Sequence, residues 1–283
     1  MGSEMCIRDS NYGACLQAYA LKKYIKDQGN ECDIIDYHCP AIEDFYGRVF
    51  LREDSFKTKI KKILTWSIQK KRNRRFKQFI EKNLLDAKFG DGYNRNNISE
   101  TNELYDSFIT GSDQVWSPFC TGGDLTYFLD FVKDSIKCNS YAACVGIASD
   151  TFLKSQEVVS NLKRFNHISV REEITQRKLS SVLSDENREG ISLDLDPTLL
   201  LSGEDWNKVA TNVTEEHYIF AYSLSMPNEV LEFANKLAKS KHEKIVFCTL
   251  DNLFAIKNKN NTVNPSPEAV SYTHLRAHET LRH

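Results

Sequence analysis

Short apolar runs alternate with amphipathic stretches along most of this chain, and that alternation limits the fold more than any other feature. A helix is predicted to open at Asn11-Tyr12-Gly13 and to end at Gly29, because small and apolar residues recur between them at helical spacing. Four strands and a helix from about Glu172 follow, the strands being Cys32–Tyr37, Ser107–Thr110, Ser140–Cys144 and His167–Val170. This order predicts a parallel α/β sheet, in which ligands bind beside the carboxyl ends of strands.

A second βαβ pattern begins further along the chain. Asp196-Pro197 and the following Ser202-Gly203-Glu204 are interpreted as the exit from a first domain that spans residues 11–205. A strand at Tyr218–Tyr222, a helix at Pro227–Lys239 and a strand at Lys244–Leu250 then begin a second domain, which spans residues 206–269. The predicted fold class is therefore α/β with two Rossmann-like domains, of which the second is incomplete.

The two ends of the chain do not continue these patterns. Residues 1–10 and 270–283 resemble translated cloning or sequencing adapter, and we exclude both from the predicted fold. Three of the seven histidines, His274, His278 and His283, lie in the second of these segments. A metal-binding histidine tail is the alternative interpretation of that segment.

The segment of residues 55–85 is strongly basic. Between Lys57 and Lys82 it contains eleven Lys or Arg residues, and apolar residues interleave with them at helical spacing. This pattern predicts a helical insertion of one or two amphipathic helices with a solvated basic face. Contact with an acidic glycan, a lipid head group or an anionic membrane surface is the functional alternative, and nucleic-acid binding is not expected without a known motif.

Composition excludes some classes of protein. The formal net charge is −2, so global charge does not identify a partner. No apolar run approaches the ~20 residues of a membrane span, and no signal-peptide pattern opens the chain. None of the eight cysteines forms a CxxC pair or groups with histidines at zinc spacing, which predicts reduced buried thiols and no metal site; a disulfide or metal framework is the alternative.

Five segments together resemble the polysaccharide pyruvyl transferase family. They occur in the family's order and cover nearly the whole predicted fold: NYGACLQAYAL from Asn11, FITGSDQVW from Phe108, SYAACVG from Ser140, SVREE from Ser169 and DPTLLL from Asp196. The resemblance implies two Rossmann-like domains that face each other across a cleft, similar to GT-B glycosyltransferases. It also implies a first strand before Asn11, expected to be missing here, and a later S-F-H-G motif with a histidine, which this sequence lacks.

The same resemblance implies an activity. Family members transfer pyruvate from phosphoenolpyruvate to a pair of sugar hydroxyls in cell-surface polysaccharide synthesis. The implied partners are phosphoenolpyruvate as donor substrate and a sugar or lipid-linked glycan as acceptor, with no cofactor and no metal. The implied location is the cytoplasm, at the inner face of the membrane where a lipid-linked acceptor lies. With the expected gaps, the printed chain is predicted to be inactive. A nucleotide-sugar glycosyltransferase of GT-B type and a non-catalytic module that binds anionic glycans are the alternatives.

Candidate site residues lie where predicted strands end. Arg171 follows the strand that ends at Val170 and precedes a helix, and a guanidinium there can bind an anion through a planar fork. In the family the matching arginine is expected to contact phosphoenolpyruvate; the alternative is an arginine paired with Glu172, Glu173 or another carboxylate. His167 and His217 are interpreted as structural.

Two further groups complete the predicted site. Gly111, Ser112, Asp113 and Gln114 follow the strand that ends at Thr110; Asp113 either accepts a sugar hydroxyl proton as the catalytic base or caps the next helix. Trp116 is either a sugar-stacking platform or a core residue. Asn11, Tyr12 and Gly13 open the first helix, whose amide end can meet an anion or a sugar hydroxyl; the alternative is an N-cap. Asp196-Pro197 is expected to shape the domain junction.

Overall fold

The computed structural model describes residues 2–4, 11–42, 56–85, 92–183, 190–211, 217–223, 225–249, 251–258, 262–263 and 266–270. By its internal contacts the chain divides into two compact units. The first comprises Met1–Arg48 and Ile80–Leu201, and the second comprises Val49–Phe79 and Ser202–His283. The basic segment up to Phe79 thus groups with the second unit, whereas the sequence placed it in the first domain.

The described strands are short and the helices vary widely in length. The strands are β1 (Gly2–Glu4), β2 (Asp33–Ile35), β3 (Phe108–Thr110), β4 (Cys138–Ser140), β5 (Ile168–Val170), β6 (Ile191–Leu193), β7 (Tyr218–Ser223), β8 (Lys244–Thr249) and β9 (Thr262–Val263). The helices are α1 (Tyr12–Asp27), α2 (Phe56–Asn83), α3 (Pro118–Thr121), α4 (Asp150–Leu153), α5 (Gln156–Leu162), α6 (Glu173–Val182), α7 (Gly203–Val209), α8 (Asn228–Lys241) and α9 (Asn252–Lys257). Turns of 3₁₀ helix cover Ile98–Glu103, Leu125–Phe128, Ser135–Lys137 and Pro197–Leu199. The α/β class predicted from the sequence is confirmed.

The first unit is built on parallel strands in the order β2-β1-β3-β4. Parallel bridges from Asn139 to His167 and from Ala143 to Val170 place β5 beside β4, and β6 pairs with β5 in parallel. All three residues of β2 and of β5 are buried, as expected for strands of a parallel sheet covered on both faces.

The expectation that the first strand is missing is wrong. Residues Gly2–Glu4 form β1, which pairs with β2 on one side and with β3 on the other. A strand between two neighbours is held by its backbone N–H and C=O groups, and any sequence supplies these. The resemblance of residues 1–10 to adapter sequence, on which the expectation depended, therefore does not prevent a strand at this position.

The predicted strand at Ser140–Cys144 is also displaced. The observed strand β4 ends at Ser140, and the chain then turns through Ala142, whose φ is +49°. The Tyr141 amide donates to the Thr110 carbonyl at 3.0 Å and the Ala143 amide donates to the Ser169 carbonyl at 3.0 Å. The apolar residues predicted as a strand thus form a buried loop after β4. The backbone of this loop is hydrogen-bonded to both β3 and β5.

Two hydrophobic clusters cover the two faces of this sheet. Successive residues of β3 separate them: Phe108 belongs to a large aromatic core with Trp116 and Phe128, whereas Ile109 packs with Leu21 of α1. Successive side chains of a strand point to opposite faces, so α1 covers one face and the aromatic core covers the other. Helix α6 packs on β5 and β6.

The second unit contains its own parallel sheet in the order β7-β8-β9. Helix α8 connects β7 to β8 and packs on both, which confirms the predicted βαβ pattern. A small core forms between them from Ala221, Met226, Ala234 and Phe247. The basic segment of the sequence is one continuous helix, α2, rather than two.

Candidate functional site

The carboxyl ends of the parallel strands gather the predicted site residues at one edge of the first sheet. Strand β1 lies between β2, which follows it in sequence, and β3. The order of the strands therefore reverses between β1 and β3, and open parallel sheets bind ligands beside such a reversal. The segments that leave this edge begin at Gly111 after β3, Tyr141 after β4, Arg171 after β5 and Asp194 after β6.

Arg171 is fixed by both its backbone and its side chain. Its amide donates to the Ala143 carbonyl at 3.2 Å, and its Nη1 donates to Asp196 Oδ2 at 2.7 Å. Burial lowers the pKa of Arg171, but the hydrogen bond to Asp196 and the charges of Asp196 and Asp113 raise the pKa by more, so the net shift is upward. The guanidinium therefore carries a permanent positive charge, and its side chain remains 25% exposed.

Asp196 holds Arg171 in place, a role that the sequence did not reveal. Its Oδ1 accepts from the Thr198 amide at 3.0 Å and from Thr198 Oγ1 at 2.7 Å, while Oδ2 faces Arg171. Asp196 thus caps the 3₁₀ turn Pro197–Leu199, and α1 packs against that turn. The salt bridge joins the end of β5 to the segment beside α1, and it uses one of the five N–H donors of the guanidinium.

Gly111 sits where only glycine fits. Its φ is +130°, and a Cβ at this position would lie 2.1 Å from the Tyr141 carbonyl oxygen. The Gly111–Ser112 peptide bond is cis. The Ser112 amide donates to Gln17 Oε1 of α1 at 3.1 Å. Ser112 is fully buried, and its hydroxyl has no hydrogen-bond partner within the described ranges.

Asp113 is partly exposed at the same edge. Its Oδ1 accepts from the Gln114 amide at 2.8 Å, and its carbonyl accepts from the Cys144 amide at 3.2 Å. The next helix, α3, is preceded by Ser117 as N-cap, so Asp113 does not cap it. The capping role predicted as one alternative is therefore not observed, and the charge of Asp113 lies close enough to Arg171 to raise the pKa of that guanidinium.

The side chain of Gln114 packs against the protein and is only partly exposed. Its Oε1 accepts from Cys120 Sγ at 3.4 Å. A Cβ at position 146 would lie 2.7 Å from the same Oε1, so Gly146, with a φ of +53°, gives the Gln114 side chain its room. Gln114 therefore ties the segment after β3 to the segment after β4, next to Asp113.

Trp116 lies in the core. It is fully buried, its Nε1 donates to the Tyr127 carbonyl at 3.0 Å, and its ring stacks on Phe128 at a centroid distance of 5.7 Å. No face of the indole reaches solvent, so a sugar cannot stack on it in this conformation. The structure supports the packing role, one of the two that the sequence left open.

The start of α1 has the predicted capping geometry. Asn11 is the N-cap, and its Oδ1 accepts from the Gly13 amide at 2.9 Å. Asn11 and Gly13 are exposed, whereas Tyr12 is buried. No acidic residue occurs in the first turn, so the partial positive charge of this helix end is not neutralised within its own turn.

Comparison with known protein families identifies the family of this chain. Residues 11–272 match the family described as polysaccharide pyruvyl transferase, which is most of the chain. The chain belongs to this family. Comparisons with curated proteins and with solved structures found no match. Members of this family are transferases whose acceptors are glycans.

In this polysaccharide pyruvyl transferase family protein, Asp194 and Tyr141 also lie at this edge, although neither was predicted as a site residue. Asp194 Oδ2 accepts from Ser169 Oγ at 2.6 Å and from Ser192 Oγ at 2.5 Å, and these hydrogen bonds lower the pKa of Asp194. Burial, followed by the charge of Asp194, raises the pKa of Tyr141 to about 12. The acidic pair Asp194-Leu195-Asp196 directly after a strand was the available sequence signal, but β6 itself is too short to have been recognised.

His167 contacts a neighbouring strand: its Nε2 lies 3.2 Å from Ser192 Oγ, which in turn donates to Asp194. Within the described ranges, no group of three or more His, Cys, Asp or Glu side chains lies close enough together to hold a metal ion. No helix in the described part of the polysaccharide pyruvyl transferase family protein is long and apolar enough to cross a membrane.

Proposed function

We propose that this protein transfers the pyruvyl group of phosphoenolpyruvate to two hydroxyls of a sugar in a growing polysaccharide or lipid-linked glycan. Family membership supports the transferase class and a glycan acceptor. The observation that carries the choice of donor is Arg171, a charged and oriented guanidinium at the carboxyl end of β5. We further infer that the reaction occurs in the cytoplasm, where a metabolic phosphate ester of this kind is made.

The donor explains why a fixed cation is useful at this edge. Phosphoenolpyruvate carries a phosphate and a carboxylate, and a guanidinium binds either group through two parallel N–H bonds. Asp196 engages only Nη1 of Arg171, so the remaining donors can meet the anion. The amide end of α1, whose first turn contains no acidic residue, adds favourable potential for a second negative group. No metal or organic cofactor is needed for charge neutralisation of this kind.

The proposed chemistry balances without a further reactant. One sugar hydroxyl adds to C2 of phosphoenolpyruvate while C3 takes up a proton, which gives a tetrahedral ketal phosphate. The bond between C2 and the phosphate oxygen then breaks, and inorganic phosphate leaves with the electron pair. The second hydroxyl adds to the cation-like C2 and closes a cyclic ketal. The two hydroxyl protons balance the proton gained at C3 and the proton on phosphate.

Asp113 is the proposed base in this sequence of steps. Its carboxylate is partly exposed beside Arg171, and its Oδ1 already accepts from one backbone amide. In this proposal Oδ2 accepts the proton of a sugar hydroxyl as that hydroxyl attacks C2. Arg171 stabilises the negative charge of the departing phosphate over the same interval.

Binding of phosphoenolpyruvate tests the proposal without requiring turnover. Arg171→Lys keeps the charge and loses the planar fork, so the affinity measured by titration calorimetry is expected to fall about ten- to a hundredfold. The matched control is Arg177→Lys on α6, an exposed arginine six residues further on, which is expected to bind like the wild type. The titrations are made in EDTA, because the proposal assigns neutralisation to arginine.

Two outcomes would contradict the proposal. Unchanged phosphoenolpyruvate affinity in Arg171→Lys would show that the donor binds elsewhere. Binding of a nucleotide sugar, with no binding of phosphoenolpyruvate, would favour the glycosyltransferase alternative. With binding established, release of inorganic phosphate in the presence of candidate glycans identifies the acceptor.

A further inference from the structure

Helix α2 has one buried face and one face in solvent. Over residues 63–83, where side chains are described, the buried positions are Thr65, Arg72, Phe76, Phe79 and Ile80. Successive members of this set are seven, four, three and one residues apart, which at 3.6 residues per turn places them on one side of the helix. Because this stripe packs against the protein, the residues on the opposite side of the helix face solvent.

The opposite side combines apolar and basic residues. Ile63, Leu64 and Trp66 are 64%, 61% and 53% exposed, although they are among the most apolar residues of the helix. Exposed basic residues lie further along the same side, and we call this set the α2 outer face: Ile63, Leu64, Trp66, Lys70, Lys71 and Arg74. Lys70 Nζ lies 5.1 Å from the centre of the Trp66 ring, so the apolar and basic parts are in contact.

Charge is concentrated on this helix. Between Phe56 and Asn83 there are eleven basic residues and a single acidic one, Glu81, a formal charge of +10 in a chain whose net charge is −2. The remainder of the chain therefore has a formal charge of −12. A surface with negative potential attracts α2 and repels most of the rest of the molecule, which selects α2 as the contact.

We propose that the α2 outer face is a docking surface for an anionic lipid bilayer. Lysine and arginine beside a leaflet are attracted to acidic head groups, and tryptophan is enriched where head groups meet acyl chains. The apolar side chains of Ile63 and Leu64 gain nothing from a nucleic acid or an acidic glycan, whereas a bilayer interface removes them from water. This inference does not depend on the proposed reaction, because it concerns a different surface and needs no turnover.

Vesicle binding by the whole chain tests the charge contribution. The protein is expected to sediment with vesicles of phosphatidylcholine mixed with phosphatidylglycerol and not with phosphatidylcholine alone, and the binding is expected to weaken as salt is raised. Each basic residue near an anionic leaflet contributes about a factor of five to the partition constant. Neutralising three with Lys70→Gln, Lys71→Gln and Arg74→Gln is therefore expected to reduce it about a hundredfold.

The matched control removes the same number of positive charges as the α2 variant, but from residues outside α2. Lys154, Lys163 and Lys236 are exposed lysines outside α2, and the triple glutamine variant at these positions is expected to bind vesicles like the wild type. Far-UV circular dichroism of both variants confirms that they are folded. Equal binding of the α2 variant and the wild type, or equal weakening in both variants, would overturn the proposal.

Tryptophan emission tests insertion of the apolar part. Trp116 and Trp206 are buried, and Trp66 is half exposed, so Trp66 is the tryptophan whose surroundings a surface contact alters. Anionic vesicles are expected to shift the emission to shorter wavelength in the wild type and in the Lys154/Lys163/Lys236 control, but not in Trp66→Phe. Binding to RNA or to an acidic polysaccharide without binding to vesicles would overturn the proposal in favour of a polyanion site.

Discussion

The turn after β3 allows a sharp test of the site geometry with two glycine-to-alanine variants. Gly111 and Gly29 both have positive φ, +130° and +83°, and both belong to the first unit. They differ in what a Cβ would meet. At Gly29 nothing lies within 4 Å, whereas at Gly111 the Cβ would lie 2.1 Å from the Tyr141 carbonyl oxygen.

The difference between the two variants reports the extra cost at Gly111, which combines the overlap with Tyr141 and a φ further from the left-handed helical region. Alanine at positive φ costs about 1–2 kcal/mol through its backbone alone, so Gly29→Ala is expected to lower the free energy of unfolding by that amount. Gly111→Ala adds overlap with a backbone oxygen that the Tyr141 amide bond to Thr110 holds in place. Relief requires the β3 and β4 ends to separate, so a total loss of about 3–5 kcal/mol is expected, in the range that marks broken packing or strain at a special φ.

Denaturant unfolding of both variants gives the measurement. Far-UV circular dichroism follows the whole chain, and emission of the buried Trp116 follows the first unit, which contains both glycines. Gly111→Ala is also expected to weaken phosphoenolpyruvate binding, because displacing Tyr141 disturbs the loop whose Ala143 carbonyl accepts the Arg171 amide. Equal loss of unfolding free energy in the two variants would refute the close approach between Gly111 and Tyr141.

Two further predictions concern the core and the acidic pair. Trp116→Phe removes the bond to the Tyr127 carbonyl and is expected to lower the free energy of unfolding by about 1–3 kcal/mol; unchanged phosphoenolpyruvate affinity, by calorimetry, separates packing from ligand stacking. Hydrogen bonds from Ser169 and Ser192 lower the folded-state pKa of Asp194, so their stabilisation is present above the unfolded pKa of about 3.9 and is lost as pH falls through the folded pKa. Asp194→Asn is therefore expected to be less stable than the wild type at neutral pH, with the difference shrinking in acid, as denaturation at several pH values would measure.

Local sequence patterns predicted the helices and strands whose formation is encoded by their own side chains. Helix α1 with its Asn11 cap, strand β5 and the βαβ pattern of the second unit follow from residues that are neighbours in sequence. Strand β1 was not predicted, since a central strand can be held by backbone groups alone. Strand β4 begins two residues and ends four residues earlier than predicted, because a buried apolar loop and a buried strand have the same composition.

The candidate site also combines features that local sequence predicted with features that it did not predict. Arg171 was placed correctly at a strand end because strand and helix signals meet there. Its partner Asp196 lies 25 residues away in sequence, and nothing local specifies that the two side chains meet. The role of Trp116 was left open for the same reason, since burial depends on Phe128 and Phe165, which pack against it from distant parts of the chain.

The position of β1 in the middle of the sheet has a consequence for synthesis on the ribosome. Gly2 pairs with Phe108, so β1 has to wait for a partner that is translated roughly a hundred residues later. At ~5–20 residues per second this interval is about 5–20 s. During it, Gly2–Glu4 has only β2 to pair with, and the edge later covered by β3 stays open. A nascent-chain protease protection assay would place completion of this sheet after emergence of β3.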